Sequence, residues 1–402
     1  MPIIFDINEV LPGMTLAKNI VYEEKPLLKS GYKLGEHDIK ALKRRGIKSV
    51  YIFDPLLDEF CDDDSLDHEV SQHVRKALTD SIDNVEKNFK KHSSITMNDV
   101  YELKQTISEC IDFIKSNPVA VAILNKSSRG NFSKQHSANV MYLSMLVAMK
   151  LKNYIIRERM KTVNTKNFDS LGDLNPMGLG AVLIDLKLDK FEDYANRALK
   201  PDEVEKILNH CKEGYEELPN ELHPYSRAIV KTHHECFNGL GYYGLKNAAI
   251  PILSRVIRVA DAFDIATSRN LFHEAKSHVY VLFHMTHGKY KTYFDPEITR
   301  ALSEVIQPFP IGAKVEMANG NQAVIVKHNS EYPFHPVVVM AFDAEGKPLP
   351  KDKLVKVDLS NNHAFKIRKF TGEDISYIYN KECAGEKIER KSCDNLFSLL
   401  FP

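Results

Sequence analysis

The middle of the chain carries the hydrophobic pattern of helices. From Pro118 to about residue 305, apolar side chains recur three, four and seven positions apart in nearly every segment. The pattern is interrupted at 164–176, at 218–224 and in a stretch with three glycines at 236–246. These features predict a mostly helical domain.

The two ends of the chain have a different pattern. Residues 1 to about 55 mix short β-like runs with turn residues and a short helix, and they finish on the strand-like Ser49–Phe53. After Pro310, alternating and continuous apolar runs predict strands, with Asn319 and Gly320 as a hairpin turn. The fold class is therefore mainly α and multidomain, α+β overall, with a small module on each side of the helical domain.

The predicted boundaries follow these changes of pattern. An acidic break at 61–65 precedes residues of helical period, in which Val70, Val74, Ala77 and Leu78 form one stripe. The apolar end of the chain, 396–401, is expected to dock onto the body of the protein. The predicted parts are an N-terminal α+β module at 1–58, a helical connector at 59–118, a helical domain at 119–305, a small β module at 306–370 and a tail at 371–402.

Charge and composition exclude several classes of protein. The 402 residues contain 54 basic and 54 acidic side chains, so no net field favours nucleic acid or an anionic membrane surface. No apolar run approaches the roughly 20 residues of a membrane span, and the six cysteines form no CxxC pair. We therefore expect a soluble, cytoplasmic protein with reduced thiols, no membrane span and no nucleic-acid partner.

Polar side chains occupy positions of the helical domain where core residues are expected. His136 precedes Val140, Leu143 and Val147 at helical spacing, so its imidazole belongs to the apolar stripe. A buried carboxylate or imidazole needs a partner or a shifted pKa. The same pattern holds along the domain for six groups: His136, Asp185, His210, His233, His234 and Asp261.

A mixed set of imidazoles and carboxylates suits a divalent Zn, Fe or Mn ion. Such an ion lowers the pKa of a bound water and so prepares a nucleophile. A single histidine on an apolar face is more often a hydrogen-bonded core residue, and a purely structural polar network stays open as the alternative. Six groups on several predicted elements favour a metal cluster.

The motifs resemble the HD-GYP family, bacterial phosphodiesterases that hydrolyse cyclic di-GMP at a metal site in a helical domain. The resemblance covers about 119–305. The family's HHE and DG-x-GYP loop correspond to 233–235 and 238–242, its RI-x-x-VAD-x-FDA-x-TS to 255–268, and its isolated histidine with a glycine four residues later to His210 and Gly214. The "LPGM" stretch near the N-terminus and the Pro-x-Gly turn that opens the C-terminal module are also similar to proteins of this kind.

The departures from the family fall on its chemistry. Its HD-x-GK stretch has Ile184, Asp185 and Leu188 in this chain, so a histidine ligand and a phosphate-facing lysine are replaced by apolar residues. Lys187 lies about 100° round a helix from the lysine position and is not a substitute. Phe132 holds the position of the glutamate in three-metal members, and 270–273 replaces a basic RPYR-like stretch.

The resemblance implies two ligand sets. One ion would use His136, the missing histidine, Asp185 and Asp261. The other would use Asp185, His210, His233 and His234, which are all present. One ion of Fe, Mn or Zn is thus expected rather than two, and a scaffold without any ion is the remaining alternative. Asp185 would be the catalytic residue of the altered site.

These changes predict a degenerate HD-GYP protein of cyclic di-GMP signalling. Its phosphodiesterase activity is expected to be lost or strongly reduced, and it would act by binding a nucleotide or a protein partner. A protein with a diguanylate-cyclase-type domain is the partner class that the family suggests. The alternatives are an active phosphodiesterase with an altered metal site and, more remotely, hydrolysis of another phosphorylated nucleotide. The recognition loop would comprise Asn238, Gly239, Gly241, Tyr242 and Tyr243.

Overall fold

The computed structural model describes residues 1–22, 25–60, 79–84, 87, 95–116, 132–162, 167–188, 201–268 and 275–379. The stripe predicted at 70–78, the family positions at 132 and 270–273, and the tail beyond 379 lie outside the residues or side chains so described. The chain divides into two compact units. We call 1–66 with 307–383 the β unit, and 67–306 with 384–402 the helical unit.

The N-terminal part of the β unit contains two small sheets and a helix. Strands β1 (Pro2–Asp6) and β4 (Ser49–Phe53) pair antiparallel, as do β2 (Ile20–Tyr22) and β3 (Lys25–Leu28), and α1 spans Glu36–Arg44. Alternate residues of β1 and β4 point inward, as the pleat of a strand requires.

The C-terminal part of the β unit is one antiparallel sheet. Its spatial order is β10-β9-β5-β6-β7-β8, with β5 and β6 at its centre. Gly320 has a φ of +87° in the predicted hairpin between β5 and β6. The strands are β5 (Lys314–Met317), β6 (Gln322–Lys327), β7 (Val337–Phe342), β8 (Val355–Asp358), β9 (Ile367–Phe370) and β10 (Glu373–Asp374).

The two ends of the chain share one hydrophobic core. Ile3, Leu16 and Leu42 from the N-terminal part pack in the same cluster as Val324 and Val339 from the sheet. The amide of Ile4 also donates to the carbonyl of Gly312 at 2.8 Å. The modules predicted at 1–58 and 306–370 are thus parts of a single packed unit, a long-range association that local patterns do not encode.

The helical unit is built around helices buried on nearly all sides. In α3 (Phe132–Lys150), every residue from His136 to Ala148 is buried. In α9 (Ile252–Thr267), every residue is buried. Helix α3 packs against α6 and α9, and α6 packs against α2 and α8. The helices are α2 (Met97–Ser116), α3 (Phe132–Lys150), α4 (Lys152–Met160), α5 (Phe168–Gly172), α6 (Asn175–Leu183), α7 (Pro201–Glu217), α8 (Pro224–Thr232), α9 (Ile252–Thr267), α10 (His278–Thr286) and α11 (Pro296–Ile306).

This architecture confirms the predicted fold class, with a helical domain, a small α+β module before it and a small β module after it. Two local expectations need correction. The apolar stripe predicted for His136 is a helix buried all round, and Asp185 lies in a turn at 184–187, beyond the end of α6 at Leu183. Within the described residues, no helix combines the length and apolarity that a membrane crossing requires.

Candidate metal centre

His136 on α3 is surrounded by three carboxylates. Its Nδ1 lies 2.8 Å from Asp264 Oδ2, and its Nε2 lies 3.1 Å from Asp261 Oδ1 and 3.4 Å from Asp185 Oδ2. Burial lowers the pKa of His136, but the hydrogen bonds with Asp185, Asp261 and Asp264 outweigh it and raise that pKa well above its ordinary value. Asn139, one turn further along α3, donates to Asp264 at 2.9 Å and holds that carboxylate in place.

His210 on α7 and His233 at the end of α8 face each other. The Nδ1 atom of His210 contacts the carbonyl of Ile207, and the Nδ1 atom of His233 lies 3.0 Å from the carbonyl of Val230. A carbonyl only accepts hydrogen bonds, so each ring carries its proton on Nδ1. The two Nε2 atoms lie 3.2 Å apart. Two ring lone pairs therefore point at each other inside the protein.

Other ligand-type atoms surround this pair of imidazoles. Asp185 Oδ1 lies 3.6 Å from His210 Nε2 and 3.9 Å from His233 Nε2. Cys211 Sγ lies 3.4 Å and 3.8 Å from the same two nitrogens. With His234, these side chains form a buried group of histidine and cysteine ligands, His210, Cys211, His233 and His234, whose ligand atoms all lie within 4.8 Å of one another.

The spacing fits a four-coordinate ion. Zn–N bonds of about 2.0 Å and a Zn–S bond of about 2.3 Å in a tetrahedron place two nitrogens about 3.3 Å apart and nitrogen and sulfur about 3.6 Å apart. The observed separations among His210, His233 and Cys211 are 3.2, 3.4 and 3.8 Å. The donor chemistry and the spacing of these residues thus match the ion that the resemblance implies.

Burial sets the charge of these groups. Burial and the neighbouring His210 lower the pKa of His233 to about 4, so its ring is neutral at neutral pH. Burial alone would raise the pKa of Asp185, but the hydrogen bond from His136 and the nearby imidazoles lower it to about 2. The pKa of the Cys211 thiol is raised well above its ordinary value by burial and by the charge of Asp185. A carboxylate therefore lies beside the neutral imidazole of His233 and a protonated thiol.

His234 and Asp261 have a different neighbour. Arg258 Nη1 lies 3.4 Å from His234 Nδ1 and 3.5 Å from Asp261 Oδ2. Its Nη2 also lies 3.8 Å from Cys236 Sγ. Arg258 is only 2 % exposed, so a permanent positive charge lies inside the candidate centre.

The glycine loop is fastened to the site by the third residue of the HHE motif. The two carboxylate oxygens of buried Glu235 accept from the backbone amides of Tyr243 and Leu245, both at 2.7 Å. A Cβ at Gly241 would lie 2.5 Å from the Cα of Glu235, so only glycine fits there. Asn238 begins the loop and accepts from the amide of Leu240 at 3.1 Å.

The loop brings one tyrosine into the cluster and leaves another outside. The ring of Tyr242 lies 5.0 Å from the ring of His234 and 6.4 Å from that of His210. Tyr243 is 42 % exposed and Leu240 is 41 % exposed. Gly239 turns the chain with a φ of +83°. One face of the loop therefore covers the histidines, and the other carries exposed apolar side chains.

The structure brings the six residues of the predicted metal set to one place: His136, Asp185, His210, His233, His234 and Asp261. The side chains of Ile184 and Leu188 are buried, and as hydrocarbons they supply no ligand atom. Lys187 donates to Glu217 at 2.8 Å. The half of the cluster that contains His136 lacks the family's second histidine.

Three neighbours of the cluster were missed by the sequence reasoning. Asp264 and Arg258 lie three residues after and three before Asp261, so helical spacing alone would have placed them on its face. Cys211 follows His210 directly, and adjacency in a helix does not predict a shared ligand position. No signal in the local sequence distinguishes Cys211 from an ordinary core cysteine.

Two family models match the chain. Residues 193–298 match "HD domain", and residues 314–375 match "KOW domain associated with HD domain". The second half of the helical unit thus matches an HD domain, and the sheet of the β unit matches a domain that accompanies it.

Three curated relatives indicate which kind of HD-domain protein the chain resembles. A cyclic di-GMP phosphodiesterase of Pseudomonas aeruginosa, PA4108, is 29% identical over 121 residues, 30% of this chain and 29% of that protein. A cyclic di-GMP phosphodiesterase of Thermotoga maritima is 37% identical over 82 residues, 19% of this chain and 22% of that protein. The response regulator RpfG of Xanthomonas campestris, also a cyclic di-GMP phosphodiesterase, is 32% identical over 108 residues, 26% of this chain and 28% of that protein.

The aligned segments thus span less than a third of each of these relatives. A solved structure, the HDG"Y"P protein Bd1817 of Bdellovibrio bacteriovorus, is similar with a TM-score of 0.45 and 16% identity, over 76% of this chain and 99% of that one. The HD-domain match and these relatives support the resemblance of the chain to the HD-GYP family.

Proposed function

We propose that this protein acts in cyclic di-GMP signalling as an HD-GYP protein with one divalent ion and strongly reduced phosphodiesterase activity. The observation that carries the proposal is the pair of Nε2 lone pairs of His210 and His233, 3.2 Å apart beside the carboxylate of Asp185. Backbone carbonyls accept from Nδ1 of both rings, so a ring with a single proton has none on Nε2 to donate to the other ring. A cation between them is the simplest complement.

His210, His233 and Asp185 would hold the ion, with Cys211 in the fourth position. A thiolate ligand favours Zn or Fe over Mn. When bound, the ion would polarise a phosphate oxygen or lower the pKa of a water molecule at a fifth position, beyond its four protein ligands. The pKa of Asp185 is lowered to about 2, so this residue stays ionised and ready to coordinate at neutral pH.

Reduced hydrolysis follows from the other half of the cluster. Two-metal phosphodiesterases use a pair of ions to stabilise both the attacking and the leaving oxygen. Ile184 and Leu188 contribute only carbon at the positions where the family has a ligand and a phosphate-facing lysine. The chain thus keeps the groups for one ion and loses part of the stabilisation that the transition state needs.

The decisive experiment compares the natural full-length protein with Ile184→His/Leu188→Lys, both loaded with Fe²⁺, Mn²⁺ or Zn²⁺. Binding of cyclic di-GMP and its hydrolysis are measured separately, with His233→Asn as the metal-site control. We expect the natural protein to bind the dinucleotide and to hydrolyse it about 100-fold more slowly than the double variant, in which the new lysine restores a positive charge facing the phosphate. Equal turnover in both, abolished by His233→Asn, would establish the alternative of an active phosphodiesterase with an altered metal site.

Partner binding through the loop is a second candidate function. Glu235 fixes the backbone of the loop, while Leu240 and Tyr243 expose their apolar side chains. A rigid loop with exposed apolar groups suits a protein interface. We propose a protein with a diguanylate-cyclase-type domain as the partner. Leu240→Ser/Tyr243→Ser should weaken that association at least about 10-fold without changing the bound metal, and unchanged affinity would eliminate the loop as the interface.

A further inference from the structure

Arg258 is the one residue contacting the candidate centre that carries a permanent positive charge, among the contacts described for it. Its guanidinium lies 3.5 Å from Asp261 Oδ2 and 3.4 Å from His234 Nδ1. It also lies over the ring of Phe294 at 5.7 Å. The side chain is buried on α9, one turn before Asp261. The buried charge of Arg258 beside Asp261, a predicted metal ligand, therefore needs a physical explanation.

The donor chemistry of Arg258 determines the state of His234. Arginine donates hydrogen bonds and cannot accept them, so its contact with His234 uses the lone pair on Nδ1. The neutral imidazole then carries its proton on Nε2, which leaves no second lone pair for an ion. With Arg258 in this position, His234 is a partner of the guanidinium and no longer a free ligand.

The charge of Arg258 acts on Asp261 as well. A divalent ion coordinated by Asp261 would lie close to the guanidinium, and like charges repel strongly where water is excluded. Asp261 already receives a contact from His136 Nε2 at 3.1 Å. Of the carboxylate that the resemblance assigns to the first ion, Oδ1 contacts His136, while Oδ2 makes no hydrogen bond with a described residue and has the Arg258 guanidinium as its charged neighbour at 3.5 Å.

We propose that Arg258 supplies, as a fixed protein cation, the positive charge that a second ion would bring, and so limits the centre to one ion. This inference rests on the proposed single-ion site at His210, His233 and Asp185. It makes Arg258 a residue that determines metal stoichiometry, and it predicts that restoring the missing histidine is not sufficient to restore the second ion.

The test counts ions per chain by elemental analysis in purified full-length protein equilibrated with Zn²⁺ and dialysed, and it detects spin-coupled pairs by electron paramagnetic resonance in protein loaded with Mn²⁺. Ile184→His should still hold one ion, because Arg258 remains. Ile184→His/Arg258→Met should hold two, with a spin-coupled signal. Ile184→His/Arg258→Lys keeps the positive charge in a similar position and should stay at one.

Two ions in Ile184→His alone would overturn the inference, as would two in the Arg258→Lys variant. One ion in Ile184→His/Arg258→Met, with the thermal midpoint showing a folded protein, would also overturn it. Ile184→His/Arg258→Gln repeats the test if the methionine variant does not fold. If the proposed single-ion site itself is wrong, the natural protein will bind no ion. That result is distinct from the outcomes that overturn the role of Arg258.

Discussion

Two buried polar clusters of the helical unit differ in how their groups are satisfied. Arg255 donates to Glu158 Oε2 and to Asp295 Oδ2, both at 2.7 Å, and Asp295 also accepts from Tyr154 at 2.8 Å. Each charge in this first cluster, which we call the Arg255 network, meets an opposite charge. The Arg255 network therefore requires no metal ion or other ligand to balance its charges.

The histidine cluster is organised in the opposite way. The Nε2 atoms of His210 and His233 meet lone pair to lone pair, and the carboxylate of Asp185 adds negative charge beside them. Asp185 is paired with His136, but the two facing Nε2 atoms have no counterpart in the Arg255 network. The comparison teaches that buried polarity alone does not identify a ligand site, whereas converging acceptors do.

The largest expected effect comes from breaking the Arg255 network. Arg255→Met leaves the carboxylates of Glu158 and Asp295 buried without their partner, which should lower the free energy of unfolding by about 3–5 kcal/mol. Urea unfolding with and without Zn²⁺ should give the same loss. Arg300→Met, which removes an exposed pair with Glu297, is the control and should leave stability unchanged. A loss that disappears on adding Zn²⁺ would show that the network serves the metal.

Metal removal should act on the histidine cluster alone. Zn²⁺ at 100 times its dissociation constant should stabilise the natural protein by about 2.7 kcal/mol, because only the folded state binds it tightly. His210→Asn and His233→Asn should abolish this gain, and the exposed His363→Asn should retain it. Thermal unfolding with Zn²⁺ or with a chelator measures the effect. Full stabilisation in His233→Asn would place the ion elsewhere.

A third prediction disturbs the loop that covers the histidines. Gly241→Ala forces a Cβ to within 2.5 Å of the Cα of Glu235 and should lower the free energy of unfolding by about 1–3 kcal/mol. Gly172→Ala, whose Cβ would meet its nearest neighbour at 3.6 Å, is the matched control. Urea unfolding compares them, and equal stability of both variants would mean that the loop yields without cost.

The smallest predicted effect is a pH dependence of the Arg255 network. Burial raises the pKa of Glu158, but its bonds with Lys161 and Arg255 outweigh burial and lower that pKa below its usual 4.5. A lowered pKa means that the stabilisation is present above pH 4.5 and is lost as the pH falls through the folded value. Glu158→Gln should flatten this part of the stability profile, measured by urea unfolding. An unchanged acid slope would assign the loss to other carboxylates.

The sequence predicted most of the cluster because its members follow local rules. His136 and Asp261 interrupt apolar helical repeats, and the hairpin at Gly320 has its own turn chemistry. The shared core of the two chain ends depends on contacts between residues such as Ile3 and Val324, more than 300 positions apart, which periodicity does not encode. The role of Arg258 likewise depends on which way a buried side chain turns.

The central claim is that one divalent ion lies between His210 and His233. The most direct measurement is the number of ions per chain in the natural full-length protein after equilibration with Zn²⁺ and dialysis, beside His210→Asn/His233→Asn. The account predicts one ion in the natural protein and none in the double variant. No ion in the natural protein, or one that survives loss of both histidines, would contradict it.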